Sequence, residues 1–157
     1  MSKSKSMDIA LELAQQAGAA GEVPVGAIVT DRTGKILGRG SNQRESIQDP
    51  TAHAEIIALR EAAKTLGSWR LEDCELTVTL EPCPMCLGAI QQARISKVTF
   101  GAWDPKGGAL SLGYHLQQDG RFHHRFAVQA DLKKECSEVL SLFFRERRKK
   151  TESTPAE

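Results

Sequence analysis

The sequence predicts an α/β fold, a partly parallel sheet covered by helices. Two observations predict it. Segments with helical spacing alternate with short apolar, β-prone runs through the middle of the chain, and such alternation requires crossover connections. A length of 157 residues allows one domain with a proper core and makes two cramped. In order, Ile9, Leu13 and Ala17 share one helical face over 7–20, and Gly21 ends the run. Residues 25–30 and 36–40 read as strands joined by Asp31-Arg32-Thr33-Gly34, which suits a hairpin. A helix over 53–65 follows Pro50-Thr51 and is rich in strong helix formers, without internal Gly or Pro. A strand over 76–80 leads to a second helix that Pro84 begins and that continues over 85–93. A strand over 98–101, a Gly-rich irregular loop over 102–120, a strand over 126–129 and a final helix over 131–150 complete the reading. The expected organisation is one domain over 8–150 with unstructured tails at 1–7 and 151–157; Ser2-Lys3-Ser4-Lys5-Ser6 in particular reads as tail.

The 21 basic and 20 acidic residues nearly cancel, so no overall polycation announces nucleic acid and only local charge can do so. No long apolar run and no signal peptide stand in the chain, which predicts a cytoplasmic protein with no membrane segment. The acid-free start keeps an organellar address open. Of four cysteines, Cys74 and Cys136 lie among apolar residues and read as buried thiols rather than a disulfide.

The remaining two carry the chemistry. His53-Ala54-Glu55 is followed downstream by Pro82-Cys83-Pro84-Met85-Cys86. Alone, the cysteine pair fits a redox dithiol, half a zinc knuckle or two buried thiols, and the tripeptide says almost nothing. Together they form the H-x-E…P-C-x-x-C signature of zinc-dependent nucleobase deaminases, a recognised pattern. Zinc favours imidazole nitrogen and thiolate in tetrahedral geometry, and a three-ligand site keeps a fourth position open for water. His53, Cys83 and Cys86 are the expected ligands of one zinc ion, and Glu55 is the expected catalytic carboxylate outside the coordination shell. All three ligands fall at the starts of two predicted helices, where unpaired N–H groups and the helix dipole favour thiolate. His53 and Glu55, two apart, can meet only above the helix end, toward which helical side chains lean.

The chain also resembles the bacterial-type tRNA-specific adenosine deaminases of the cytidine deaminase-like superfamily over about residues 8–150. The resemblance rests on Glu22-Val23-Pro24-Val25-Gly26, Asp49-Pro50-Thr51-Ala52-His53-Ala54-Glu55, Thr79-Leu80-Glu81-Pro82-Cys83, Phe100-Gly101-Ala102, Asp104-Pro105-Lys106-Gly107-Gly108-Ala109 and Phe143-Phe144-Arg145-Glu146-Arg147-Arg148. It implies a three-layer α/β/α fold with a central mixed five-stranded sheet, a homodimer, and hydrolysis of wobble adenosine to inosine in the anticodon of an arginine tRNA, with release of ammonia. It further implies substrate contacts. Asn42 would hydrogen-bond the flipped base, Val25 and Leu80 would wall it, and Asp104 and Lys106 would lie near the RNA. Read alone, these are a loop Asn, strand core and solvated loop charges. His124 is equally a substrate neighbour or a strand-edge histidine. Trp103, where relatives often carry a basic residue, would stack on a base or cover the sheet edge.

Phe144, Arg145, Arg147, Arg148 and the following lysines would grip RNA, although cations at a helix C-terminus also complement its dipole. The zinc signature leaves a free-base guanine or cytosine-type deaminase open as an alternative. Glu22-Val23-Pro24-Val25-Gly26 and the basic terminus favour RNA. A non-catalytic zinc RNA-binding subunit is the other alternative, against which Glu55 argues, since a structural site has no use for a non-ligating carboxylate.

Overall fold

The structure, a computed structural model, describes residues 3–153. Helix α1 (Lys3–Ala19) is followed by the antiparallel hairpin of β1 (Gly26–Thr30) and β2 (Ile36–Ser41). Asp31 closes that hairpin by accepting hydrogen bonds from the backbone N–H of Thr33 and Lys35 and the Thr33 hydroxyl. Helix α2 (Ala54–Leu66), β3 (Glu75–Val78), α3 (Pro84–Ala93) and β4 (Lys97–Phe100) then alternate. A short 3-10 turn (Leu116–Gln118), β5 (Ala127–Ala130) and α4 (Lys134–Ser153) end the described chain.

The five strands form one mixed sheet in the order β2-β1-β3-β4-β5. Strand β1 runs antiparallel to both neighbours, whereas β3, β4 and β5 run parallel. Helices α2 and α3 cover one face, and α1 and α4 the other, as the three-layer expectation required. All five residues of β1 are buried, because helices cover both of its faces. Val29, Leu76, Val78, Val98 and Phe100 pack against Leu59, Leu87 and Ile90 on one side. Met7, Leu11, Ala102 and Cys136 form a smaller cluster on the other.

Helix α1 starts at Lys3, so residues 3–7, expected as tail, are helical. Ser6 and Met7 are buried, and Met7 anchors the smaller cluster. Serine and lysine tolerate a helix, and packing of Met7 extends the helix where composition alone suggested a tail. Likewise α4 continues to Ser153; the expected tail residues 1–2 and 154–157 lie outside the described residues.

Close packing fixes where the helices begin. A β-carbon at Gly40 in β2 would collide with the Ala54 carbonyl oxygen in the first turn of α2. One at Gly26 in β1 would collide with the Ala10 carbonyl of α1. Glycine at these positions lets the helix backbones lie directly on the sheet. The starts of α2 and α3 meet at the C-terminal end of β3, the edge where open α/β sheets take ligands.

Candidate active site

His53 is the N-cap of α2 and Cys83 the N-cap of α3, both with extended backbone. Pro84, with its fixed φ and missing N–H, starts α3 and leaves Cys86 one turn inside it. The Nδ1 atom of His53 lies 3.5 Å from Cys83 Sγ and 3.4 Å from Cys86 Sγ. Tetrahedral zinc with ordinary bond lengths separates a bound imidazole nitrogen from a bound sulfur by roughly 3.6 Å. All three donor atoms fall within 4.8 Å of one another, so the cluster fits zinc without rearrangement.

The titration of the cluster points the same way. A hydrogen bond from Cys86, with help from His53, pulls the Cys83 thiol down to about 4. Interaction with Cys83, followed by burial, pushes Cys86 far up. Bonding to the Cys83 sulfur raises His53. The shifts run in opposite directions because each thiolate opposes its neighbour, and a divalent cation bound between them would relieve that opposition. Glu55, only 4% exposed, sits in the first turn of α2 beside Cys86. Burial is the main cause that raises its carboxyl to about 7.

His53, Glu55 and Cys83 line a cleft of about 280 Å³. Cys86 lies behind it, fully buried. Val25, Leu80 and the buried Asn42 line it. The Asn42 amide donates to the Val23 carbonyl and accepts from the Arg44 backbone N–H, so its side chain also braces the wall. Asp104 and Phe144 reach the cleft from the loop after β4 and from α4. Asp104 also closes its own turn by accepting from the N–H groups of Lys106 and Gly107. Lys106 and Arg145 do not line the cleft, and Arg147 and Arg148 instead flank an adjoining surface depression with Phe144.

His124 is turned away, its Nε2 at 2.6 Å from the Ile95 carbonyl and its ring stacked on Phe126. Trp103 packs edge-on against Phe100 at 4.8 Å, covering the sheet end. Cys74 and Cys136 are free and buried, as expected.

Sequence reasoning missed three lining residues, Val23, Arg44 and Ala54, and the work of two buried carboxylates. Glu22 accepts from the N–H groups of Glu45 and Ser46, fixing the loop that carries Asn42 and Arg44. Burial alone would raise the Glu22 carboxyl, but these bonds hold it below its ordinary value. Glu81 accepts from the N–H of Asp104 and from both the N–H and the hydroxyl of Ser111, fixing the opposite loop. Gly108 passes directly over the Glu81 carboxylate, where no β-carbon would fit. Both carboxylates stand inside quoted motifs, but nothing in those motifs reveals their distant partners.

Three zinc-type donors gathered where two helices start, with a non-ligating buried carboxylate beside them, place the chain among the zinc-binding deaminases. Residues 1–102 match the cytidine and deoxycytidylate deaminase zinc-binding region accordingly. Within that class the chain belongs to the tRNA-specific adenosine deaminase family. It is 49% identical to the tRNA-specific adenosine deaminase of Bacillus subtilis over 145 residues, 92% of this chain and 89% of that one. A structure solved in a study of A-to-I editing by tRNA:A34 deaminases at the wobble position superposes with a TM-score of 0.82 at 41% identity, covering 87% of this chain and 99% of the other. A guanine deaminase from Bacillus subtilis is also similar, with a TM-score of 0.64 and 34% identity over 94% of this chain and 95% of its own.

Proposed function

We propose that this protein hydrolyses the wobble adenosine of a tRNA anticodon, in an arginine tRNA, to inosine and ammonia. The observation that carries this reading is the buried Glu55 beside the His53-Cys83-Cys86 cluster, at the bottom of a cleft that Phe144 of α4 also lines. His53, Cys83 and Cys86 would hold zinc, which would supply Lewis acidity toward a water in the cleft. Glu55 would take up the two protons of that water in turn, passing one to the purine ring nitrogen and the other to the amine, which leaves as ammonia while the water oxygen stays on the ring carbon. A carboxyl raised to about 7 gives and takes protons readily at neutral pH. Val25 and Leu80 hold the base flat, and Asn42 orients its edge. Phe144 stacks on a neighbouring base while Arg145, Arg147, Arg148 and Lys106 meet phosphates. Asp104 orients the loop that carries Lys106.

The active form is a homodimer in the cytoplasm. Met85, Leu112 and Tyr114 are exposed apolar side chains that a second copy would cover, and the unpaired thiols of Cys74 and Cys136 suit a reducing compartment. Among the described residues no helix is long and apolar enough to cross a membrane.

Purified protein should form inosine and release ammonia from an anticodon stem-loop. Free adenosine, guanine and cytidine should stay unchanged in the same assay. The likeness to a guanine deaminase makes free guanine the competing substrate, and turnover of guanine without turnover of RNA would replace this reading with that one.

A further inference from the structure

Far from the cleft, the turn after α2 holds a tryptophan in water. Trp69 is 57% exposed, yet the backbone around it is tightly fixed. Gly67 and Ser68 donate to the Ala63 carbonyl at the end of α2. The Ser68 hydroxyl bonds both the N–H and the carbonyl of Arg70. Leu71, fully buried, donates to the Ala93 carbonyl at the end of α3. Two guanidiniums flank the indole, Arg70 at 4.8 Å and Arg94 at 5.7 Å from the ring centroid. The Arg94 guanidinium is itself pinned by donation to the carbonyls of Gln91 and Gln92.

The charges of this patch are unmatched. Arg32, Arg60 and Arg121 pair with Asp73, Asp49 and Asp119, but neither Arg70 nor Arg94 meets a carboxylate among the described residues. A fixed indole that keeps 57% of its surface exposed, with two guanidiniums close to its ring and neither ion-paired, suits an unpaired nucleotide, whose base stacks on the open part of the ring while its phosphates meet the cations. The zinc ligands stand at the starts of α2 and α3 and the patch at their ends, about 15–20 Å away by helical rise. Only a substrate of macromolecular size reaches both.

We propose that Trp69, Arg70 and Arg94 form a second contact for the RNA whose adenosine occupies the cleft. This proposal rests on the tRNA reading above. The chain has two tryptophans, so in a Trp103→Phe background Trp69 is the sole indole. Adding tRNA to that variant should quench its fluorescence, with the same midpoint as binding measured by filter retention. Trp69→Ala should weaken binding about fivefold to 150-fold, the usual contribution of one stacked base. Arg70→Gln should flatten the salt dependence of log affinity by about one unit. Both should keep wild-type zinc content and a near-normal single-turnover rate at saturating RNA. Unquenched fluorescence, or wild-type tRNA affinity in Trp69→Ala, overturns the proposal. So does a change in sedimentation of Trp69→Ala without loss of RNA affinity, which would mark the patch as a protein–protein surface. Wild-type turnover of tRNA in the same experiment tests the functional reading separately, so either idea can fall alone.

Discussion

Glu55 and Cys86 are neighbours in the first turns of two different helices, yet only the cysteine belongs to the ligand triad. Metal binding and proton transfer are therefore separable by mutation. Glu55→Ala should retain zinc and fold but lose about two to four orders of magnitude in turnover, the usual cost of a lost general acid–base group. Metal analysis alongside single-turnover kinetics checks this, and loss of zinc from Glu55→Ala would remove the distinction. Conversely, Cys83→Ser and Cys86→Ser should each lower zinc occupancy, since an alcohol is a poorer zinc ligand than a thiolate. Cys74→Ser and Cys136→Ser should keep full occupancy, because both thiols lie buried outside the triad. The zinc triad was legible in the sequence because its members cluster at two helix starts and Pro82-Cys83-Pro84 marks one of them. The work of Glu22 was not legible. Its partners are backbone N–H groups 23 and 24 residues away, and backbone groups carry no residue-specific signal.

At the scale of elements, the cleft depends on what holds its two rim loops and its helix starts. Glu22→Gln replaces an acceptor of two N–H groups by an amide that presents its own donor to one of them. The loop over 42–49 should loosen, raising KM for RNA several-fold while zinc content stays unchanged. The folded Glu22 carboxyl titrates below its ordinary value of 4.5, so its stabilisation is present above that pH and lost as the solution becomes more acidic. Thermal melts of wild type and Glu22→Gln should accordingly converge in acid; a constant gap would show that the charge is irrelevant.

Gly40→Ala tests the other support. The added methyl pushes the first turn of α2 off β2 and should cost about 1–3 kcal/mol of stability, as overpacking commonly does. It should also weaken zinc retention against a chelator, since His53 moves with that turn. The order and type of every strand and helix could be read from alternation and turn residues, with ends displaced by a few positions. The start of α1 could not, because burial of Met7 against Ala102 and Cys136 is a tertiary contact invisible from its Ser/Lys neighbours.

Across the whole molecule, grip and chemistry occupy different layers. The zinc cluster lies at the sheet edge between α2 and α3, whereas the cations of α4 project from the opposite layer and stay exposed. Exchanging Arg145, Arg147 and Arg148 for Gln should reduce tRNA affinity and flatten its dependence on salt, because fewer counterions are released on binding. The single-turnover rate at saturating RNA should change far less. Phe144→Ala should weaken binding with an unchanged salt slope, since stacking releases few ions. Filter binding over a salt series separates the two, and wild-type affinity of the Gln variant would reduce the basic helix end to a solvated surface. That Phe144 lines the same cleft as His53 and Cys83 was not legible from spacing, since α4 is brought there by its packing against α1.

The loop over 104–111 hangs from the Glu81 carboxylate at Asp104 and Ser111, crosses over it at Gly108, and is tied a third time where the buried Ala109 donates its N–H to the Pro82 carbonyl. A segment so mounted at its base and open at its tip is an exchangeable cassette. Its exposed positions at 105 and 106 can vary in size and charge while 104, 108, 109 and 111 preserve the mounting. A graft that respects those four positions should alter which polymer the rim accepts without retuning the metal beneath it. One scaffold could then be diversified toward new nucleobase-editing specificities by rewriting a handful of surface codons.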